Sequence, residues 1–512
     1  MRSFAIVLAA VVASVSAFLA PGAAAGTGPL LITSSTTLTE DQYGPITIAA
    51  SGVTLDCAGH RVVGPGFAGI YLGPVSSVAV KNCQVSGFRF GYYLTATGSN
   101  MLVSDVATGN SQDGFALASG STANTLSSDR ADGNGESGFV IDSSSSNTLS
   151  ADTASGNSDS GFALLNGAAT NVVSDDTSTG NSAQGFAAFS AGSGNRISTS
   201  SAADNGAVGF VVLSSANVVL DRNRASRSFY AGFAVGESSG ATVSGNTAES
   251  NHAGGFYFHD LTDSSVTANT ATGNVAGGFT LDGSTTRVTL TTNVASGNTG
   301  HGFAAFGVSS NTFAGNTSNH NLDSGFGLTD GASANRLDSN TASANASQGY
   351  ALYGAGSENT LTGDTATGNG SVGFAIVDSN GNAFDSDISN GNTYAGFDLL
   401  RSSGNTLTHD TAHGNPVDGF NLDQAKGNVL SHDEASGNGD AYGLLAGSTN
   451  NVLVADIGSN NGVHGFAVYL GATGNTISSC VAHANGAVDA YDENPAGTNA
   501  WTGDRFGSTS FA

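Results

Sequence analysis

Residues 124–146 read N-T-L-S-S-D-R-A-D-G-N-G-E-S-G-F-V-I-D-S-S-S-S, and residues 147–165 begin again as N-T-L-S-A-D-T-A-S-G-N-S-D-S-G-F-A-L-L. Apolar residues never recur here at i, i+3, i+4 and i+7, so the stretch is not helical. Leu126, Ala131, Phe139 and Ile141 sit instead in short runs cut by Ser, Asn or Gly, which is strand chemistry with turn punctuation. The unit continues in both directions. A ring after Gly stands at Tyr92, Phe115, Phe139, Phe162, Phe186, Phe210, Phe233, Phe256, Phe279, Phe303, Phe326, Tyr350, Phe374, Phe397, Phe420 and Phe466, and Tyr442 keeps the place without its Gly. From Phe115 to Phe466 there are 351 residues in 15 steps, a mean of 23.4. Self-similarity at that period marks a solenoid.

Counting back from each ring gives the other columns. An Asn stands five residues before it (Asn134, Asn157, Asn274), a small residue eight before (Ala131, Ala154) and Asp or Asn ten before (Asp129, Asn269, Asp410). A large apolar residue stands thirteen before (Leu126, Val173, Phe313), and another follows two after the ring. Three short strands per repeat, each stacked on its counterpart in the next, make an all-β chain: a parallel β-helix of about 19 coils. Leucine-rich repeats would need L-x-x-L-x-L, and the calcium nonapeptide would need G-G-x-G-x-D; neither occurs. At ~4.8 Å per coil the rod is roughly 90 Å long. Equivalent residues then stack directly, so Asn side chains can pass hydrogen bonds from coil to coil and the rings form the core. The Gly before each ring supplies either a positive φ or a close approach.

The two ends differ from this pattern. Arg2, the apolar run 4–20 and Ala23-Ala24-Ala25 describe a secretory signal peptide over residues 1–25, cleaved near Ala25. Residues 26–50 and 492–512 lack the repeat and are expected to cap a β-helix spanning 51–491, with Trp501 plugging the C-terminal end. No later segment has the ~20 apolar residues of a spanning helix. The full chain carries 40 Asp+Glu against 14 Lys+Arg, a formal charge of −26. Its two Lys, Lys81 and Lys426, argue against a nucleic-acid partner, whereas the acidic balance admits cationic ligands and Ca²⁺.

The opening segment G-V-T-L-D-C-A-G-H over 52–60, then G-I-Y-L over 69–72 and V-A-V-K-N-C over 78–83, resembles the first coils of NosD-like, pectin-lyase-like right-handed β-helix proteins. The later N-T-L…G-N…G-F units and the tail N-A-W-T-G-D-R-F over 499–506 are similar to the same group. The resemblance covers about residues 45–506 and implies a right-handed helix. It also implies a superfamily that holds polysaccharide lyases, hydrolases, epimerases and adhesins, so function has to be argued from the site.

Cys57 and Cys83 are 26 residues apart, about one coil, and form either a disulfide or two buried thiols. Cys480 occupies the Asp/Asn column. Positions one and three after each ring point outward, and most coils place Ala, Gly, Val or Leu there. Two patches depart from that. Tyr257 and His259 share a strand, Asp282 lies one coil beyond, and Asp260 and Glu237 flank them at the turn. Tyr257, His259, Asp260 and Asp282 are the catalytic candidates, with Tyr257 or His259 as base, and Glu237 is a binding candidate. In the second, Asp398 and Asn421 stack with Arg401 and Asp423 nearby as binding candidates. Arg222, Arg224 and Arg227 form one basic cluster, expected to pair with Asp221 and Glu249. His409 and His432 stack, with His413 near, without a placed carboxylate to complete a metal site.

Two function classes follow. The first is a secreted, monomeric, non-catalytic rod that contacts a polysaccharide or cell-envelope glycan. The alternative is a polysaccharide lyase, C5-epimerase or glycosidase. The uniform 22–25-residue spacing leaves no room for the long loops that usually build a β-helix active site, which favours the rod.

Overall fold

The computed structural model describes residues 28–511, and all their regular elements are β-strands. The expected leader over 1–25 lies outside the described residues. Each turn supplies three strands, for example Thr125–Ser127, Arg130–Asp132 and Phe139–Asp142. Each pairs in parallel with its counterpart in the next turn: Leu126 with Leu149, Ala131 with Ala154, Phe139 with Phe162. Three sheets therefore run along the rod, named here the leucine, alanine and aromatic sheets after their inward columns. They contain 21, 21 and 22 strands. That is slightly more than the 19 coils expected, because strands between Leu30 and Ile48 and between Ala500 and Phe511 join the same sheets, as in Ile46 with Ile70 and Thr476 with Ala500. About 21 turns at ~4.8 Å give a rod of about 100 Å.

The core is the set of inward columns. Sixteen consecutive ring pairs from Tyr92 to Phe466 stack with centroids 4.4 to 5.0 Å apart and planes within 7°. The three Tyr in this stack remain compatible with burial because each hydroxyl donates to a backbone carbonyl: Tyr92 to Cys83, Tyr350 to Asn340 and Tyr442 to Asp433. The Gly before each ring turns out to serve close approach: a Cβ on Gly138 would lie 2.7 Å from the Gly161 carbonyl oxygen and 2.8 Å from Ala154 Cβ. The left-handed corner is Gly133, φ 57°, just before the ladder Asn.

Polar columns hold the corners. Asn134 Nδ2 donates to Asn157 Oδ1 at 3.0 Å and to the Ala107 carbonyl at 3.2 Å, and the pattern recurs along the rod. The second column mixes Asn and Asp. Where Asn stands, its amide donates inward, as Asn269 Nδ2 does to the Val243 carbonyl at 2.8 Å. Where Asp stands, Oδ1 still accepts a backbone N–H from the preceding turn, but the Oδ2 atoms of Asp105, Asp176, Asp364, Asp387, Asp410, Asp433 and Asp456 are buried without a partner among the described residues. Burial pushes Asp105 up to about 8, Asp364 and Asp456 to about 7, and Asp387, Asp410 and Asp433 well above the usual carboxylate range. A protonated Asp regains the donor that an Asn would carry, so part of the formal negative charge is not expressed inside the rod.

Cys57 and Cys83 are disulfide-bonded, with Cα atoms 4.8 Å apart on successive turns. Cys480 is a free thiol in the mixed column, and burial raises it to about 12, which leaves little thiolate for nucleophilic chemistry. At the C-terminal end Trp501 packs on Phe506 and Phe511 and donates its indole N–H to Asp492 Oδ2 at 3.0 Å. Among the described residues no helix is long and apolar enough to cross a membrane.

Candidate functional site

The aromatic-sheet strands are a residue or more longer than the others and place two side chains per turn on the outer face. On Phe256–His259 these are Tyr257 and His259, and on the next strand they are Thr280 and Asp282, in register. The Tyr257 hydroxyl donates to Asp282 Oδ2 at 2.8 Å. His259 Nδ1 lies 2.8 Å from Asp282 Oδ1, and its Nε2 lies 3.2 Å from Asp260 Oδ2. Tyr257, His259, Asp260 and Asp282 thus form one network, and only an imidazolium has a donor for each of the two carboxylates. Burial, then the bond to Asp282, raises the Tyr257 phenol far above its ordinary value, so it acts as a donor rather than a base. Glu237 sits at the corner with φ 49°, accepts from Ser214 Oγ at 2.7 Å, and lines with Asp260 a shallow groove of about 430 Å³.

In the second patch Asn421 Nδ2 donates to Asp398 Oδ1 at 2.8 Å. Asp423 follows on the same strand, where Gln424 Nε2 reaches its Oδ1 at 3.4 Å. Arg401 is not brought into this group: its guanidinium forks onto Asp378 one turn back, at 2.8 and 2.7 Å. The structure adds residues that the sequence reading did not single out. The strands Asp418–Asp423, Asp440–Leu444 and His464–Val468 start earlier than their counterparts and bring the position two before the ring into the sheet. Asp440 Oδ1 accepts from the His464 amide at 2.9 Å and from His464 Nδ1 at 3.0 Å, and its Oδ2 accepts from the Tyr469 hydroxyl at 2.6 Å. Asp418 has no such set of donors; burial, with Asp440 alongside, pushes it up to about 7. Burial also raises Asp398. Asp418, Asn421 and Asp440 border a depression of about 400 Å³ walled by Tyr394, Pro416, Val417, Leu445, Val463 and Tyr469.

The remaining candidates resolve into surface pairs. Arg224 bonds Glu249, Arg222 pairs with Asp221 at 3.0 Å, and Arg227 forks onto Asp204. His409 and His432 stand 5.4 Å apart, centroid to centroid, with His409 Nδ1 3.5 Å from Asp385. Among the described residues no three His, Cys, Asp or Glu side chains converge as ligands for a metal ion.

The profile of the right-handed beta helix region matches residues 31–178, 169–295, 281–387 and 380–506. The chain belongs to the right-handed beta helix family. No curated protein matches this β-helix. Among solved structures it is similar to a variant of the periplasmic alginate epimerase AlgG, at 11% identity and TM-score 0.34 over 66% of this chain and 77% of that one. It is also similar to the Dettilon tailspike protein, at 12% and 0.36 over 60% and 59%, and to the Siphovirus 9NA tailspike receptor binding domain, at 9% and 0.38 over 71% and 73%. Likeness at this level concerns the fold, so the chemistry of this β-helix rests on its own residues.

Those residues can stack on a ring, accept hydrogen bonds from hydroxyls, and hold or release protons near neutrality. An aromatic group near the N-terminal end adds to the same face: Tyr71 stacks on Tyr93 at 6.3 Å, Phe67 packs edge-on to Phe90 and Tyr93, and the Arg89 guanidinium lies over Phe67 and Phe90.

Proposed function

We propose that this β-helix is an exported rod that grips a polysaccharide laid along the outer face of its aromatic sheet. One observation carries the reading. Between residues 54 and 483 the strands of the leucine and alanine sheets present no outward Phe, Tyr or Trp, whereas the aromatic sheet presents Tyr71, Tyr93, Phe189, Tyr257, Phe306 and Tyr353, with Tyr469 just past a strand end. Rings in two columns on one flank offer stacking surfaces for sugar rings, and the neighbouring Asp, Asn and His side chains offer acceptors and donors for hydroxyls. Glu237, Asp260 and Asp282 would repel a uronate chain, so a neutral or basic glycan fits this flank better than an acidic one. Binding rather than turnover suits the middle patch, because its imidazole, phenol and carboxylates already satisfy one another. Export rests on the leader-like residues 1–25.

The test is retention of the folded protein on cellulose, chitin, chitosan, cross-linked dextran and polygalacturonate, with reducing ends measured in parallel. Wild type should be held by a neutral or basic polymer, and the Tyr257→Phe, His259→Ala, Asp282→Asn triple variant should be held at least five-fold less. Release of reducing ends by wild type, lost in the variant, would replace the rod with an enzyme. Retention on none of the polymers overturns the reading.

A further inference from the structure

The depression near the C-terminal end differs from the rest of the flank in having a buried acceptor with nothing to accept. Asn421 is 5% exposed, its Nδ2 is used by Asp398, and its Oδ1 has no partner among the described residues. Burying an amide oxygen without a hydrogen bond is unfavourable, so the position favours a ligand that supplies a donor. Gly443 leaves room beside it where most turns carry a side chain: a Cβ there would lie 3.2 Å from Asp418 Oδ2. Asp418 therefore leans across the gap next to Asn421. Asp440 is locked behind it by His464 and Tyr469.

The floor thus offers acceptors, Asn421 Oδ1 and the Asp418 carboxyl, with Asp398 and Asp440 adding negative character and no Lys or Arg lining the depression. A ligand must be rich in donors, and a cation is favoured over an anion. The walls are Tyr394, 45% exposed, Tyr469 and four aliphatic or proline side chains, surfaces that suit a ring better than a thin linear chain.

From this geometry we infer that the depression bordered by Tyr394, Asp418, Asn421, Asp440 and Tyr469 binds a protonated amino sugar, one hexosamine unit of a glycan. Its ammonium group faces Asp418, a hydroxyl donates to Asn421 Oδ1, and the sugar ring lies between the tyrosines. The inference deepens the glycan-binding reading and rests on it for the direction of the polymer, but a short oligomer tests it separately.

The experiment is calorimetric titration of the full chain at pH 7, where both the Asp418 carboxylate and the sugar ammonium are populated, with three tetrasaccharides of the same linkage: the glucosamine tetramer, its N-acetylated form and cellotetraose. Wild type should bind the glucosamine tetramer at least ten-fold more tightly than the other two. Asp418→Asn, close to isosteric, and Asn421→Leu should each weaken that binding ten-fold or more with an unchanged circular dichroism spectrum. If Asn421→Leu does not fold, Asp418→Asn decides alone. Equal affinity for all three oligomers, no binding, or full affinity in Asp418→Asn overturns the inference. Retention of wild type on a polymer with no tetramer binding defeats this site alone, and tetramer binding without polymer retention defeats the extended contact face alone.

Discussion

The middle turns, residues 223–340, and the C-terminal turns, residues 364–469, share one ring stack, one register and one strand pattern, yet they settle their polar groups in opposite ways. In the middle the mixed column is Asn223, Asn246, Asn269, Asn293, Asn316 and Asn340, and each amide finds acceptors. Its outward patch likewise closes on itself through Tyr257, His259, Asp260 and Asp282. Toward the C-terminus the column becomes Asp364, Asp387, Asp410, Asp433 and Asp456, each with an orphaned Oδ2, and the outward patch keeps the orphaned Asn421 Oδ1. A repeat makes neighbouring environments nearly identical. A change of side chain within a column is therefore read out as a change in protonation and hydrogen-bond satisfaction, with the fold left as it was.

The largest effect should be the same in both regions. Phe279→Asp and Phe397→Asp each replace a fully buried ring with a carboxyl group between two stacked rings. Cavity and buried charge together should cost about 3–5 kcal/mol or more at neutral pH. Urea denaturation followed by circular dichroism measures it. Two losses that differ widely would mean that the core is not equivalent in the two regions, and the comparison would then have to begin with packing.

The second effect should separate them. The folded-state value of about 7 for Asp364 lies above the ~3.9 of an unfolded Asp, so the folded chain holds the extra proton between those limits. Stability from that group is complete below about pH 4 and declines by up to ~1.4 kcal/mol per pH unit until about pH 7. Asp364→Asn should accordingly raise stability at pH 8, by about 4 kcal/mol at most, and change little at pH 4. The reverse change, Asn269→Asp in the middle turns, should destabilise at pH 8 far more than at pH 4. Differences that do not vary with pH would show that these carboxyls are not held protonated.

Much of this architecture is visible in the letters because a 23-residue repeat states each structural requirement many times. The Phe column, the Asn at minus five and the small residue at minus eight are all where the sequence puts them. The middle patch is legible for the converse reason: Tyr257, His259 and Asp282 replace Ala and Gly on a face that can be counted. The C-terminal depression is harder. Asp418, Asp440 and His464 stand two before the ring, a position that reads as turn, and only the lengthened strands bring it into the sheet. The available signals were an Asp–Asp–His succession in one column and the replacement of the usual Gly-ring pair by Ala441-Tyr442, followed by Gly443. Arg401 misleads in the other direction, since its left-handed φ of 50° sets it at a corner, with Asp378 as partner. Phe67, Tyr71, Phe90 and Tyr93 escape because they precede the regular repeat or lie outside its ring column.

The smallest effect tests whether burial is what distinguishes the two outward patches. Tyr257→Phe and Tyr469→Phe each remove one hydroxyl that donates to a carboxylate, at 2.8 Å to Asp282 and at 2.6 Å to Asp440. The Asp282 side chain is 31% exposed and can exchange the lost donor for water, so that change should cost about 0.5–1 kcal/mol. The Asp440 side chain is 7% exposed and keeps only the two bonds from His464 to Oδ1, which leaves Oδ2 buried without its donor. Losing a partner there should cost about 1–3 kcal/mol. Because a solenoid can open locally, the pair is best compared by hydrogen exchange of the amides around turns 256–282 and 440–469 rather than by one global transition. Protection should fall more in the second set. If Tyr257→Phe costs as much as Tyr469→Phe, water is no better a substitute at the middle patch than at the depression. Burial would then fail as the reason one patch is closed and the other is open to a ligand.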